Sequence, residues 1–151
     1  TIILDSFLQR PAENCRRRFV LAHEIGHVLI NRADPLHNPA CFDRDYDSER
    51  SYSFQELQER MTLGECQANT MAALLLMPKP LLESTLRRHV RRQRIPIYGE
   101  CVLLPSTKPA VNAMADELGV SFSALLIQLK KYNMVERHDI QEYVLKMRQA
   151  T

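Results

Sequence analysis

Phe19-Val20-Leu21-Ala22-His23-Glu24-Ile25-Gly26-His27-Val28-Leu29-Ile30 sets two histidines four residues apart, with a glutamate directly after the first. At about 3.6 residues per turn, that spacing stacks both imidazoles on one helical face, where two ring nitrogens can reach one metal ion. Glu24 projects beside them, placed to hold a water on such an ion without ligating it. Almost every other residue of the stretch is apolar, so the helix is expected to be buried nearly all round. Two imidazoles and a carboxylate buried without partners carry a large desolvation cost, which a metal with its ligands removes. The alternative is an ordinary helix whose histidines are satisfied core or surface groups. Only the context of the motif separates the two.

That context begins with the bulk properties. With 151 residues, 45% hydrophobic and 25% charged, the chain suits one globular domain with a core of its own and a small appendage. A formal charge of +2 is too small to imply a nucleic-acid partner. Cys15, Cys41, Cys66 and Cys101 are spread without C-x-x-C spacing and no signal peptide opens the chain, so reduced thiols and a cytoplasmic protein are expected. No apolar run reaches the roughly 20 residues of a membrane span, and no membrane association is expected. The first residue is Thr1, not methionine, and the apolar Ile2-Ile3-Leu4 follows at once, which reads as continuing from upstream sequence.

Taken in order, Thr1 to Leu4 reads as a short strand. Pro11 suits the first turn of a helix that carries the motif from about residue 11 to 31. Arg16, Arg17 and Arg18 point in different directions on it, as solvated side chains or as a mark for an anionic partner. Residues 32 to 52, rich in Asp, Pro, Asn and Ser, are expected to form a long loop. Its Asp43-Arg44-Asp45-Tyr46-Asp47 is similar to the start of a calcium loop, but Ser48 stands where a glycine is needed and Phe54 where a bidentate glutamate belongs, which excludes calcium.

Ser53-Phe54-Gln55-Glu56 has the form of a capping box and Thr62-Leu63-Gly64-Glu65 of a second, so one helix or two occupy residues 54 to 77, ended by Pro78-Lys79-Pro80. Leu81 to Arg94 reads as a basic amphipathic helix without aromatics interleaved for base stacking. A loop follows over 95 to 109, with a short extended piece at Cys101 to Leu104. Ala110 to Leu118 reads as a helix, Gly119 as its C-terminal cap and Ser121 as the next N-cap, and a second helix runs from Phe122 to about Tyr132. Asp139 caps a last helix through Arg148.

Two histidines leave a catalytic zinc site incomplete, since such a site takes three protein ligands and keeps a fourth position for water. The best third candidate is Glu65, at the polar entrance of a segment that is apolar on every side from Met71 onward and so expected in the core. A helix-capping role for Glu65 is the alternative. Asn69 shares its face four residues on, and its amide is placed to orient a ligating histidine through the second ring nitrogen.

These residues carry a resemblance. Arg17-Arg18-Phe19-Val20-Leu21-Ala22-His23-Glu24-Ile25-Gly26-His27 resembles the signature helix of the ImmA/IrrE family of zinc metallopeptidases. Glu65-x-x-Ala68-Asn69-x-x-Ala72, with Leu75-Leu76-Met77-Pro78, resembles its second motif. The resemblance implies that His23, His27 and Glu65 ligate Zn2+ and that Glu24 is the catalytic base. Met114 to Ser121 and Ala124 to Leu129 are similar to the helix-turn-helix-like segment of that family, with Gln128 where an arginine is usual. The resemblance covers most of residues 1 to 133.

The implied fold is α+β and mostly helical. It comprises a zincin-like metallopeptidase core over 1–105, with a small β element near the N-terminus, and a helix-turn-helix-like tail over 106–151 packed on the core. The implied activity is hydrolysis of a peptide bond in a specific protein, a helix-turn-helix repressor of a mobile element or stress response in bacteria or phage. His37, Tyr46, Tyr52 and Tyr98 are open candidates for stabilising the oxyanion. Two rival readings remain: a DNA- or protein-binding regulator, and a scaffold whose zinc is only structural. Glu24 argues against a structural zinc, which has no use for a non-ligating carboxylate. The second helix of the tail begins Phe122-Ser123-Ala124-Leu125-Leu126, without the long polar side chains that reach base edges, so no sequence-specific nucleic-acid binding is expected.

Overall fold

The computed structural model of the chain describes residues 2–33 and 63–149. They fall in two compact units, Thr1–Leu76 and Met77–Thr151.

In the first unit, Asp5 accepts the Phe7 backbone N–H at 2.8 Å and opens a 3-10 turn at Ser6–Gln9. Pro11 begins a second turn, Pro11–Glu13, where its missing N–H costs nothing. That turn leads into α1 (Asn14–Ala33), and α2 (Leu63–Leu76) is the next described element. The expected strand at the N-terminus is absent, because Ile2 to Leu4 run irregularly into the Asp5 cap. The capping box at Ser53 lies outside the described residues.

Small residues set the distance between these helices. Ala22, Ala68 and Ala72 are buried, and a Cβ built on Gly26 would lie 3.1 Å from the Ala68 carbonyl oxygen and 3.2 Å from the Ala68 Cα. The expectation of burial on every side is corrected by Ile25, Val28 and Leu29 on α1 and by Leu74 and Leu75 on α2, all of them exposed. Each helix buries one stripe of small residues, which accounts for the close approach and leaves the larger side chains outside it. Of the arginine run, Arg17 donates to the Asn14 Oδ1 at 2.9 Å and Arg16 sits over the Phe7 ring.

The second unit starts with α3 (Lys79–His89), whose Leu82, Thr85 and Leu86 are buried. The chain then turns through Arg91 at a φ of 55° into β1 (Ile95–Tyr98). Helices α4 (Lys108–Leu118) and α5 (Phe122–Lys131) follow, then β2 (Val135–His138) and α6 (Ile140–Gln149). β1 and β2 pair in parallel, Ile95 opposite Val135 and Tyr98 opposite His138, so α4 and α5 form the crossover that a parallel pair requires. The β element of the described chain is this sheet. Pro96 is tolerated within it because each strand of a two-stranded sheet is an edge. The division between the two units falls between Leu76 and Met77.

The tail helices follow their caps. Gly119 takes the left-handed φ of 62° at the end of α4, and Ser121 accepts the Ala124 N–H at 3.2 Å to start α5; the two helices meet at 97°. Asp139 accepts the Gln141 N–H at 2.7 Å ahead of α6. No single helix among the described residues is long and apolar enough to cross a membrane.

Candidate metal centre

His23 and His27 stand one turn apart on α1, and Glu65 stands in the first turn of α2. Their ligating atoms converge. The two Nε2 atoms are 2.9 Å apart, Glu65 Oε2 lies 3.2 Å from His23 Nε2, and Glu65 Oε1 lies 3.3 Å from His27 Nε2. The rings meet edge to face at an interplanar angle of 86°. The carboxylate is buried, with 5% of its side chain exposed against 17% and 14% for the imidazoles.

Asn69, one turn beyond Glu65, brings its Oδ1 to 3.0 Å from the His23 Nδ1. A carbonyl oxygen only accepts, so Nδ1 carries a proton and donates; a ring with that single proton presents Nε2 as a bare lone pair. That lone pair faces the carboxylate oxygens of Glu65, an acceptor turned toward acceptors. A cation between them turns this repulsion into ligation. Four-coordinate zinc with arms of about 2.0–2.1 Å has ligand-to-ligand edges of roughly 3.3 Å; the two separations to Glu65, 3.2 and 3.3 Å, match, and the two Nε2 atoms at 2.9 Å stand closer. These three are the group that could hold a metal ion among the described residues.

Glu24 follows His23 on α1 and is half-buried. Gly26 lies one residue before His27 and holds α1 against Ala68, the neighbour of Asn69. Its importance was available in the sequence as a cost: a glycine inside a helix forfeits about 1 kcal/mol against alanine, and it persists here because no side chain fits. His37, Tyr46 and Tyr52 lie outside the described residues. Tyr98 belongs to the second unit, where it is fully buried and its hydroxyl accepts a hydrogen bond from Lys146 at 2.7 Å.

Comparison with known proteins agrees with the chemistry of this cluster. Residues 7–130 match the model of a peptidase family described as the IrrE N-terminal-like domain. Over 87 residues the chain is 33% identical to the radiation response metalloprotease IrrE of Deinococcus radiodurans, a match that covers 58% of this chain and 22% of that protein. The chain thus spans about a fifth of the relative's length. No solved structure matches it. A family match over most of the sequence places this chain in the ImmA/IrrE family of peptidases.

Proposed function

We propose that this protein is a zinc-dependent endopeptidase in which His23, His27 and Glu65 hold the metal and Glu24 is the general base. The observation that carries the reading is the facing lone pair of His23 and carboxylate of Glu65, with His27 closing the triangle at 2.9–3.3 Å. Zinc, when bound, supplies Lewis acidity that polarises a scissile carbonyl and makes water more acidic.

The remaining work belongs to the chain. Asn69 keeps the His23 proton on Nδ1, so that Nε2 stays available as a ligand. Glu24, beside the ligands but not among them, takes a proton from the attacking water onto its carboxylate and passes it to the leaving amine as the C–N bond breaks. The enzyme forms no covalent intermediate. Glu24 is half-buried, which restricts the water around it.

The substrate we propose is a folded protein, a helix-turn-helix repressor, cut at one site. Acidic residues between Asp34 and Glu49 and basic residues from Arg87 to Arg94 give the chain segments of opposite charge, suited to steering a charged partner. The start of α5 supports protein over duplex DNA as that partner: Phe122 and Ala124 are half-buried, and Gln128 is buried in the unit.

The test is incubation of the chain with the repressor encoded beside its gene, with and without a chelator, followed by mass spectrometry. One zinc-dependent cut with casein left intact is expected. Glu24→Gln retains zinc and loses cleavage, whereas cleavage by that variant, or general digestion of casein, contradicts the proposal.

A further inference from the structure

The second unit contains a cavity of about 550 Å³ that the peptidase chemistry does not use. That volume falls within the range of pockets that hold small organic ligands. Tyr98 and Lys146 line it together. Tyr98 is 0% exposed, and its hydroxyl oxygen accepts from the Lys146 ammonium, which also lies 5.1 Å from the ring centroid. An ammonium group has three donors and no acceptor, so this contact uses one Lys146 proton and leaves two. The Tyr98 hydroxyl proton finds no acceptor among the described residues. At 0% exposure the hydroxyl is out of reach of a guest, and its part is to hold the Lys146 ammonium at the cavity wall.

The other lining charges point the same way. Arg92 makes no ion pair or hydrogen bond among the described residues and adds an unspent fork of donors to the wall. Glu136 is the only carboxylate among the lining residues, and its Oε1 lies 3.6 Å from the Nε2 of His138, another lining group. Val90 and Leu104 contribute apolar wall. The Tyr98 hydroxyl also holds the Lys146 pKa above its ordinary value, so the ammonium stays charged.

We infer that this cavity binds a small organic phosphate monoester, its phosphoryl oxygens accepting from Arg92 and Lys146 and its organic body lying against Val90 and Leu104. Phosphate is favoured because Arg92 and Lys146 bring two cations to the wall against one carboxylate, Glu136, which lies beside His138, and an anion with several oxygens can accept from both cations. A free phosphate ion would leave the apolar wall uncovered.

Calorimetric titration of the full chain with adenosine 5′-monophosphate, phenyl phosphate, inorganic phosphate and adenosine tests this at fixed ionic strength. At least one monoester is expected to bind one to one, at least tenfold more tightly than inorganic phosphate, with adenosine silent. Arg92→Met and Lys146→Met each weaken that binding at least tenfold, while Lys131→Met, outside the cavity, leaves it unchanged. Arg92 is exposed, so its variant tests the site without disturbing the fold, and circular dichroism checks the Lys146 variant. The inference is overturned if neither monoester binds saturably, if inorganic phosphate binds as tightly as the esters, or if Arg92→Met binds like the parent.

Discussion

The Nδ1 proton of His23 is held by the Oδ1 of Asn69 at 3.0 Å, across from the face on which His23 Nε2 meets His27 and Glu65. One hydrogen bond therefore fixes both the tautomer and the rotation of the ring. Asn69→Ala frees the ring to turn and to carry its proton on Nε2, where it cannot ligate. Zinc affinity should fall by about 10- to 100-fold, measured by competition with a chromogenic chelator, with helix content unchanged. Affinity equal to that of the parent would show that packing alone orients His23.

Gly26 sets how closely α1 approaches α2. A Cβ there meets the oxygen and Cα of Ala68 and, at 3.2 Å, the Cβ of Met71; two of the three are backbone atoms and cannot swing aside. Gly26→Ala gains about 1 kcal/mol in helix propensity but overpacks the contact at a cost of about 1–3 kcal/mol. The overpacking wins because relief requires α2 to move, carrying Glu65 and Asn69 with it. Lower thermal stability and weaker zinc binding are expected together. A more stable variant with unchanged metal affinity would mean that the helices are not held at this point.

The convergence of His23, His27 and Glu65 was legible because helical spacing is local. His23 and His27 declare their shared face within five residues, and Glu65 is marked by the polar-to-apolar change that follows it. The caps at Gly119, Ser121 and Asp139 are local signals too, and the structure uses all three. The sheet was not legible, because its strands have four residues each and Ile95 pairs with Val135, far along the chain, while Pro96 argues against a strand at all. Nor does an apolar residue announce which way it faces. Ile25, Val28 and Leu29 read as core from composition, yet the seam between α1 and α2 is made of glycine and alanine.

Gln128 is 2% exposed, and its Nε2 has no hydrogen-bond partner. A buried amide donor without an acceptor costs about 1–3 kcal/mol. Methionine has similar length and no donor, so Gln128→Met should raise stability by about 1 kcal/mol. Chemical denaturation is the measurement, read as a higher midpoint with an unchanged slope. A lower midpoint would mean that the amide is satisfied in solution.

Glu117, at the end of α4, receives His89 Nε2 at 2.6 Å and the Arg88 guanidinium from α3. The His89 hydrogen bond, followed by the Arg88 charge, holds the Glu117 carboxyl below its ordinary value of 4.5, although partial desolvation opposes the shift. A carboxylate whose folded pKa is depressed stabilises the fold above its unfolded pKa, and that contribution is lost as pH falls through the folded pKa. Glu117→Gln should therefore melt at a lower temperature than the parent at pH 7, with the gap closing as pH drops below about 4.5. The group is exposed and the pair is open to screening, so the gap should also shrink in high salt. Thermal melts of both chains from pH 7 to pH 3, at low and high ionic strength, test the pair. Two curves that remain parallel across the whole range would show that Glu117 adds nothing pH-dependent to the contact between α3 and α4.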